Sequence, residues 1–148
     1  MTEAELKSAY EAQKPYLAAW GNAVKEAVLT RLQGSPGLTK PLFDFLKIPV
    51  EPRVKATDSF LAKALRRGKD YERPLVQITD KVGVRFVVLL LCDLKIIEDV
   101  IEECELWEAE KSRDFETERT ERPHHFDYQS VHYIARPKKP LMCGTVTV

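Results

Sequence analysis

The chain has little cysteine: three residues, Cys92, Cys104 and Cys143, with no metal-ligand spacing among them. An odd number without a framework argues against a disulfide-stapled secreted fold and for a reducing, cytoplasmic setting. It also lacks any long hydrophobic run. The longest, residues 86–92, is far too short to span a bilayer. The first ten residues are polar and charged, so no signal peptide is expected there. Net charge is absent too. Twenty-three Lys and Arg balance twenty-three Asp and Glu, so overall charge gives no reason to expect nucleic-acid or membrane binding. No repeat, low-complexity tract or long linker interrupts the chain. A length of 148 residues is enough for one domain with a proper core.

The charge that is present is unevenly spread. Residues 50–85 hold nine Lys and Arg against five acids, whereas residues 93–121 hold four against twelve. The first stretch suits anions; the second would repel a polynucleotide backbone.

Within the basic stretch, Arg53 and Lys55 sit two apart on a segment that Pro49 and Pro52 keep extended, so they share a side. Thr57 and Asp58 then predict a helix start, with a side-chain oxygen capping free N–H groups and an acid at the positive helix end. On that helix, over residues 58–67, Ser59 and Lys63 are an i, i+4 pair on one face. Gly68 stops it. Three cations and a hydroxyl thus converge on a helix N-terminus, which suits a polyphosphate. Asp80 follows at the mouth of an apolar run, with Arg85 close behind. An acid beside a cationic pocket is where Mg2+ carried on a nucleotide would be held.

Elsewhere the patterns are architectural. Leu6, Tyr10, Leu17, Trp20, Val24, Val28 and Leu32 recur at helical spacing and predict a long helix over residues 3–33, kinked or divided at Pro15. Residues 42–46 suggest one helical turn. Residues 84–91 form a continuous apolar run of strand length, predicting a strand covered on both faces. Residues 93–103 read as an amphipathic helix. Residues 105–110, 115–119, 128–135 and 145–148 read as strands, the third with period-two character. The order predicts an α/β or α+β sheet flanked by helices.

The joint spacing of Arg53, Lys55, Ser59 and Lys63, then Asp80 and Arg85, then Tyr128, Ser130 and His132 resembles the RelA/SpoT-type alarmone synthetase domain over about residues 45–140. The resemblance implies a polymerase-β-like nucleotidyltransferase fold, with a helical part over about 1–50 and a catalytic core over about 51–148. It implies transfer of pyrophosphate from ATP to the 3′-hydroxyl of GDP or GTP. Arg53 and Arg85 would flank the adenine, Lys55, Ser59 and Lys63 would hold the donor's phosphates, and Asp80 would be the catalytic, magnesium-binding acid. Tyr128 would stack on the acceptor's guanine, and His132 would bind phosphate or orient the acceptor.

Two features depart from that family. Asp127 stands where these enzymes usually have glycine, which leaves the acceptor open; some relatives are toxins that modify the tRNA 3′-end. The family also places a second carboxylate, in a Glu-x-Gln-x-Arg pattern, on the strand after the tyrosine loop, yet residues 128–148 contain no acid. The expectation is a chain cut before that glutamate, binding nucleotide poorly and catalysing little. A non-catalytic nucleotide-binding or interaction module is the remaining alternative. Family members of this size also suggest a homo-oligomer or an antitoxin or regulatory partner. His124 and His125 are adjacent, but no third ligand at suitable spacing supports a metal there.

Overall fold

The computed structural model describes residues 2–66, 70–114, 130–138 and 146–147. Its first element, α1 (Glu3–Gln33), starts at a capping box in which Thr2 and Glu5 satisfy each other's backbone N–H groups. The predicted apolar stripe, from Leu6 to Leu32, is buried. Pro15 does not divide the helix. The carbonyl that loses its partner belongs to exposed Glu11, where water can replace the missing bond.

A short turn, α2 (Leu42–Phe45), leads through residues 46–52 to β1 (Arg53–Val54). Then comes α3 (Thr57–Arg66). The amide of Phe60 donates to the carbonyl of Ala56 at 2.9 Å, so the helix winds from Ala56 and Thr57 lies inside its first turn, not ahead of it as a cap. The turn α4 (Pro74–Gln77) precedes Asp80 and β2 (Val82–Gly83).

The strand predicted over residues 84–91 does not form. Strand pairing stops at Gly83, and among the described residues 84–90 form no ladder. The carbonyl of Val87 instead accepts from the amide of Lys47 at 2.8 Å. Leu89, Leu90 and Leu91 are exposed, so the run is not covered on both faces. Its apolar character reflects partial burial along the edge of the core.

Next come α5 (Leu91–Glu103), β3 (Trp107–Asp114), β4 (Val131–Pro137) and β5 (Val146–Thr147). The strand expected over residues 115–119 and the start of the one expected at 128 lie outside the described residues. The sheet has the order β1-β2-β5-β4-β3. β2 and β5 are parallel, while the other neighbours are antiparallel, with Val82 opposite Val146 and Ile134 opposite Thr147. A register shift between Lys111 and Arg113 marks an irregularity in β3.

One cluster of buried side chains joins α1 to α3, α5 and the sheet. Trp20 of α1 meets Trp107 of β3 edge to face, with ring centroids 6.1 Å apart. Gly21 permits close approach: a Cβ there would lie 2.9 Å from Val82 Cγ2 and 3.0 Å from Pro52 Cβ. On the far side, buried Tyr133 of β4 donates from its hydroxyl to Glu102 at 2.6 Å and Glu98 at 3.1 Å, tying α5 to the sheet. Burial, with these carboxylates, pushes its phenol well above the usual range.

Candidate functional site

The segment before β1 is held extended by prolines, so Arg53 and Lys55 alternate with Val54 along one line. The amide of Lys55 donates to the carbonyl of Lys81 at 2.7 Å, placing it beside the approach to β2. Asp80 stands on that approach. Its carboxylate receives Lys55 Nζ on Oδ2 and Lys63 Nζ on Oδ1, each at 2.8 Å. Lys63 reaches it from α3, two turns into the helix. Three residues from three separate segments therefore meet at one carboxylate.

Around this triad lies a cleft of about 800 Å³, whose charged and polar lining includes Glu51, Arg53, Lys55, Ser59, Asp80 and Arg85. With Lys63 counted, cations exceed anions by two. Asp80 is partly exposed, at 37%, whereas the Lys55 side chain is 19% exposed. Partial burial pushes the Asp80 carboxyl up, but the hydrogen bonds and charges of Lys55 and Lys63 outweigh it and hold it below the usual carboxylate range. Asp80 is consequently an anion at neutral pH. An ionised oxygen donor with ammonium groups beside it is what a metal-bound polyphosphate requires.

The structure thus brings together six of the residues singled out in the sequence: Arg53, Lys55, Ser59, Lys63, Asp80 and Arg85. His132 is placed differently. It lines a second pocket of about 380 Å³, mostly apolar, that shares Gly83 and Arg85 with the first. Tyr128, Asp127, His124 and His125 lie outside the described residues. Arg66, at the exposed end of α3, pairs with Glu3 of α1 at 3.1 Å.

Two residues near the site escaped sequence reasoning. Lys81 is buried, and its ammonium donates to the carbonyl of Leu75. Nothing in its neighbours separates it from a solvated lysine. Tyr10 is fully buried, yet its hydroxyl donates to the carbonyl of Lys55 at 2.5 Å. Its position in the apolar stripe of α1 announced packing and concealed this polar reach.

The fold has parallels among solved structures. The small alarmone synthetase 1 from Bacillus subtilis superposes with a TM-score of 0.65 at 18% identity, over 95% of this chain and 69% of that one. The same enzyme bound to its product pppGpp superposes with a TM-score of 0.63 at 19% identity, over 95% of this chain and 72% of that one. At such identity the likeness speaks to the fold, which is nucleotidyltransferase-like. No curated protein sequence matches the chain. The model of the "region found in RelA / SpoT proteins" matches residues 52–143, more than half of the chain and the whole of the cleft except Ile48, Pro49 and Glu51. The chain belongs to the RelA/SpoT family, which is of pyrophosphotransferase type.

Proposed function

We propose that the cleft binds ATP with Mg2+ and that the protein transfers its pyrophosphoryl group to the 3′-hydroxyl of GDP or GTP, releasing AMP. The observation that carries this reading is the meeting of Lys55, Lys63 and Asp80 inside a cleft also lined by Arg53, Ser59 and Arg85. Phosphoryl-type transfer needs positioning and charge neutralisation more than covalent chemistry from the protein. The ammonium groups of Lys55 and Lys63 supply the latter.

In this reading Lys55 and Lys63 turn from Asp80 to the donor's phosphate oxygens, and Ser59 donates a hydrogen bond beside them. The planar guanidinium groups of Arg53 and Arg85 stack on or flank the adenine. The residues present fit a magnesium ion that arrives on its nucleotide. Among the described residues no group of three or more His, Cys, Asp or Glu could hold an ion alone. A single carboxylate beside phosphate oxygens and water is the usual coordination for this metal. Asp80 would hold it, and the ion would neutralise charge on the phosphate oxygens. Tyr128 would stack on the acceptor's base, while His132, in the adjoining pocket, would orient the acceptor. AMP and a 3′-pyrophosphorylated guanosine nucleotide would be the products.

The test is transfer from ATP labelled in its terminal phosphate, with GDP, GTP or tRNA offered separately to the full chain. Label on GDP or GTP is the expected result, at a low level because residues 128–148 lack the family's second carboxylate. Label on tRNA alone moves the assignment to the tRNA-modifying relatives. ATP binding without transfer to any acceptor would leave a non-catalytic nucleotide-binding module.

A further inference from the structure

The segments bearing Lys55 and Asp80 are joined by the pairing of β1 with β2 and by the Lys55 amide on the Lys81 carbonyl, whereas α3, which carries Ser59 and Lys63, is not part of that ladder. Lys55 lies between β1 and α3, Lys63 two turns into α3, and Asp80 ahead of β2. Bringing Lys63 onto the carboxylate that Lys55 also reaches requires a fixed seat for α3 against those strands. The N-terminal helix provides it.

Tyr10 on α1 makes two contacts at once. Its hydroxyl donates to the backbone carbonyl of Lys55 at 2.5 Å, and its ring stacks on Phe60 with centroids 4.0 Å apart and planes 6° from parallel. Phe60 follows Ser59 directly and precedes Lys63 by three residues, so the stacked ring anchors the turn of α3 that carries both. Tyr10 and Phe60 are both completely buried. The tyrosine is therefore a bolt between the segment bearing Lys55 and the helix bearing Ser59 and Lys63. Eleven residues further along α1, three turns on and on the same face, Gly21 lies against Pro52 and Val82, which lead into Arg53 and follow Asp80. One helix thus grips the cleft's framework at two points.

We infer that Tyr10 is a positioning residue for the phosphate-holding lysines, acting through the Lys55 carbonyl and the Phe60 ring, an inference that rests on the nucleotide reading of the cleft. A phenylalanine would fill the core equally well, but only a phenol can also fix Lys55. The burial of that hydroxyl, together with the nearby Asp80 charge, raises its pKa to about 12, so it remains a donor at neutral pH.

The experiment is a double-mutant cycle on ATP affinity, measured by calorimetry with Mg2+ for Tyr10→Phe, Lys55→Met and the pair. Tyr10→Phe retains the stacked ring and removes the hydroxyl alone. The expected result is roughly fivefold weaker ATP binding for Tyr10→Phe, the worth of about one net hydrogen bond lost between a displaced Lys55 and a phosphate oxygen, and no further loss when Lys55 is already methionine. Thermal melts of all four proteins accompany the cycle. Equal loss from Tyr10→Phe in both backgrounds means a merely structural residue and overturns the inference, as does unchanged affinity in Tyr10→Phe. If Lys55→Met itself leaves ATP affinity intact, the nucleotide reading of the cleft fails and the inference goes with it. If Lys55→Met weakens binding and Tyr10→Phe does not, only the positioning role is lost.

Discussion

At the scale of single residues, Asp80 is the point on which the cleft turns. It is the one carboxylate onto which Lys55 and Lys63 converge, and it stays ionised because their ammonium groups outweigh its burial. Asp80→Asn retains size and hydrogen-bonding atoms but removes the charge. In the pyrophosphotransferase reading it should reduce transfer by about a hundredfold or more, the scale seen when a charge-stabilising group is lost from an active site. Circular dichroism should show the same fold, since the side chain is partly exposed. A variant that failed to fold would make Asp80 structural. The same residue predicts a pH dependence. Its folded pKa is depressed, so its contribution to stability is fully present above the unfolded value, near pH 4, and is lost as pH falls through the lower folded value. The melting-temperature gap between wild type and Asp80→Asn should be constant from about pH 7 to 5 and narrow below about pH 4. A gap that widened with acid would contradict the sign.

At the scale of elements, α1 holds two informative departures from helical preference. Pro15 removes a backbone donor within an unbroken helix, at an exposed position. Pro15→Ala should therefore stabilise the protein, by about 1–3 kcal/mol given the interior proline penalty. Chemical denaturation would read this as a higher midpoint at unchanged slope. Gly21→Ala runs the other way. Alanine would gain about 1 kcal/mol of helix propensity, but its Cβ would press on buried Val82 and on Pro52, at 2.9 and 3.0 Å. Overpacking of that kind costs about 1–3 kcal/mol, and stiff β-branched Val82 can yield little. The expected sign is destabilisation, seen as a lower melting temperature. Stabilisation would mean that α1 can shift away from the sheet without loss.

At the scale of the whole molecule, a single buried cluster links the N-terminal helix to the sheet, and Trp20 and Trp107 meet across that junction. Urea unfolding followed by tryptophan fluorescence should therefore coincide with loss of helical circular dichroism, as for one cooperative unit. Separate midpoints would divide α1 from the rest. The surface beyond this core is uneven in charge: the cleft is cationic, while α5, β3 and the turn between them expose Glu102, Glu103, Glu105, Glu108 and Glu110. A polyanion as long as RNA would meet that second face unfavourably, whereas a mononucleotide need only enter the cleft. No helix among the described residues is long and apolar enough to cross a membrane.

Much of this was legible in the sequence because helical periodicity and local cation spacing are short-range properties. The stripe from Leu6 to Leu32 determined α1, and Arg53, Lys55, Ser59, Lys63, Asp80 and Arg85 were identifiable as a set before any coordinates. Other features depended on neighbours distant in the chain. Whether residues 84–91 became a strand hinged on available backbone partners, and pairing ended at Gly83. Thr57 had a capping side chain, yet the helix wound from Ala56. Tyr10 differs from its stripe-mates only in a hydroxyl, and its meaning appears when Lys55, 45 residues away, presents a carbonyl to it. Sequence by itself fixes what each segment can offer; packing decides which offers meet, because hydrogen bonds and ion pairs act over a few ångströms whatever the separation along the chain.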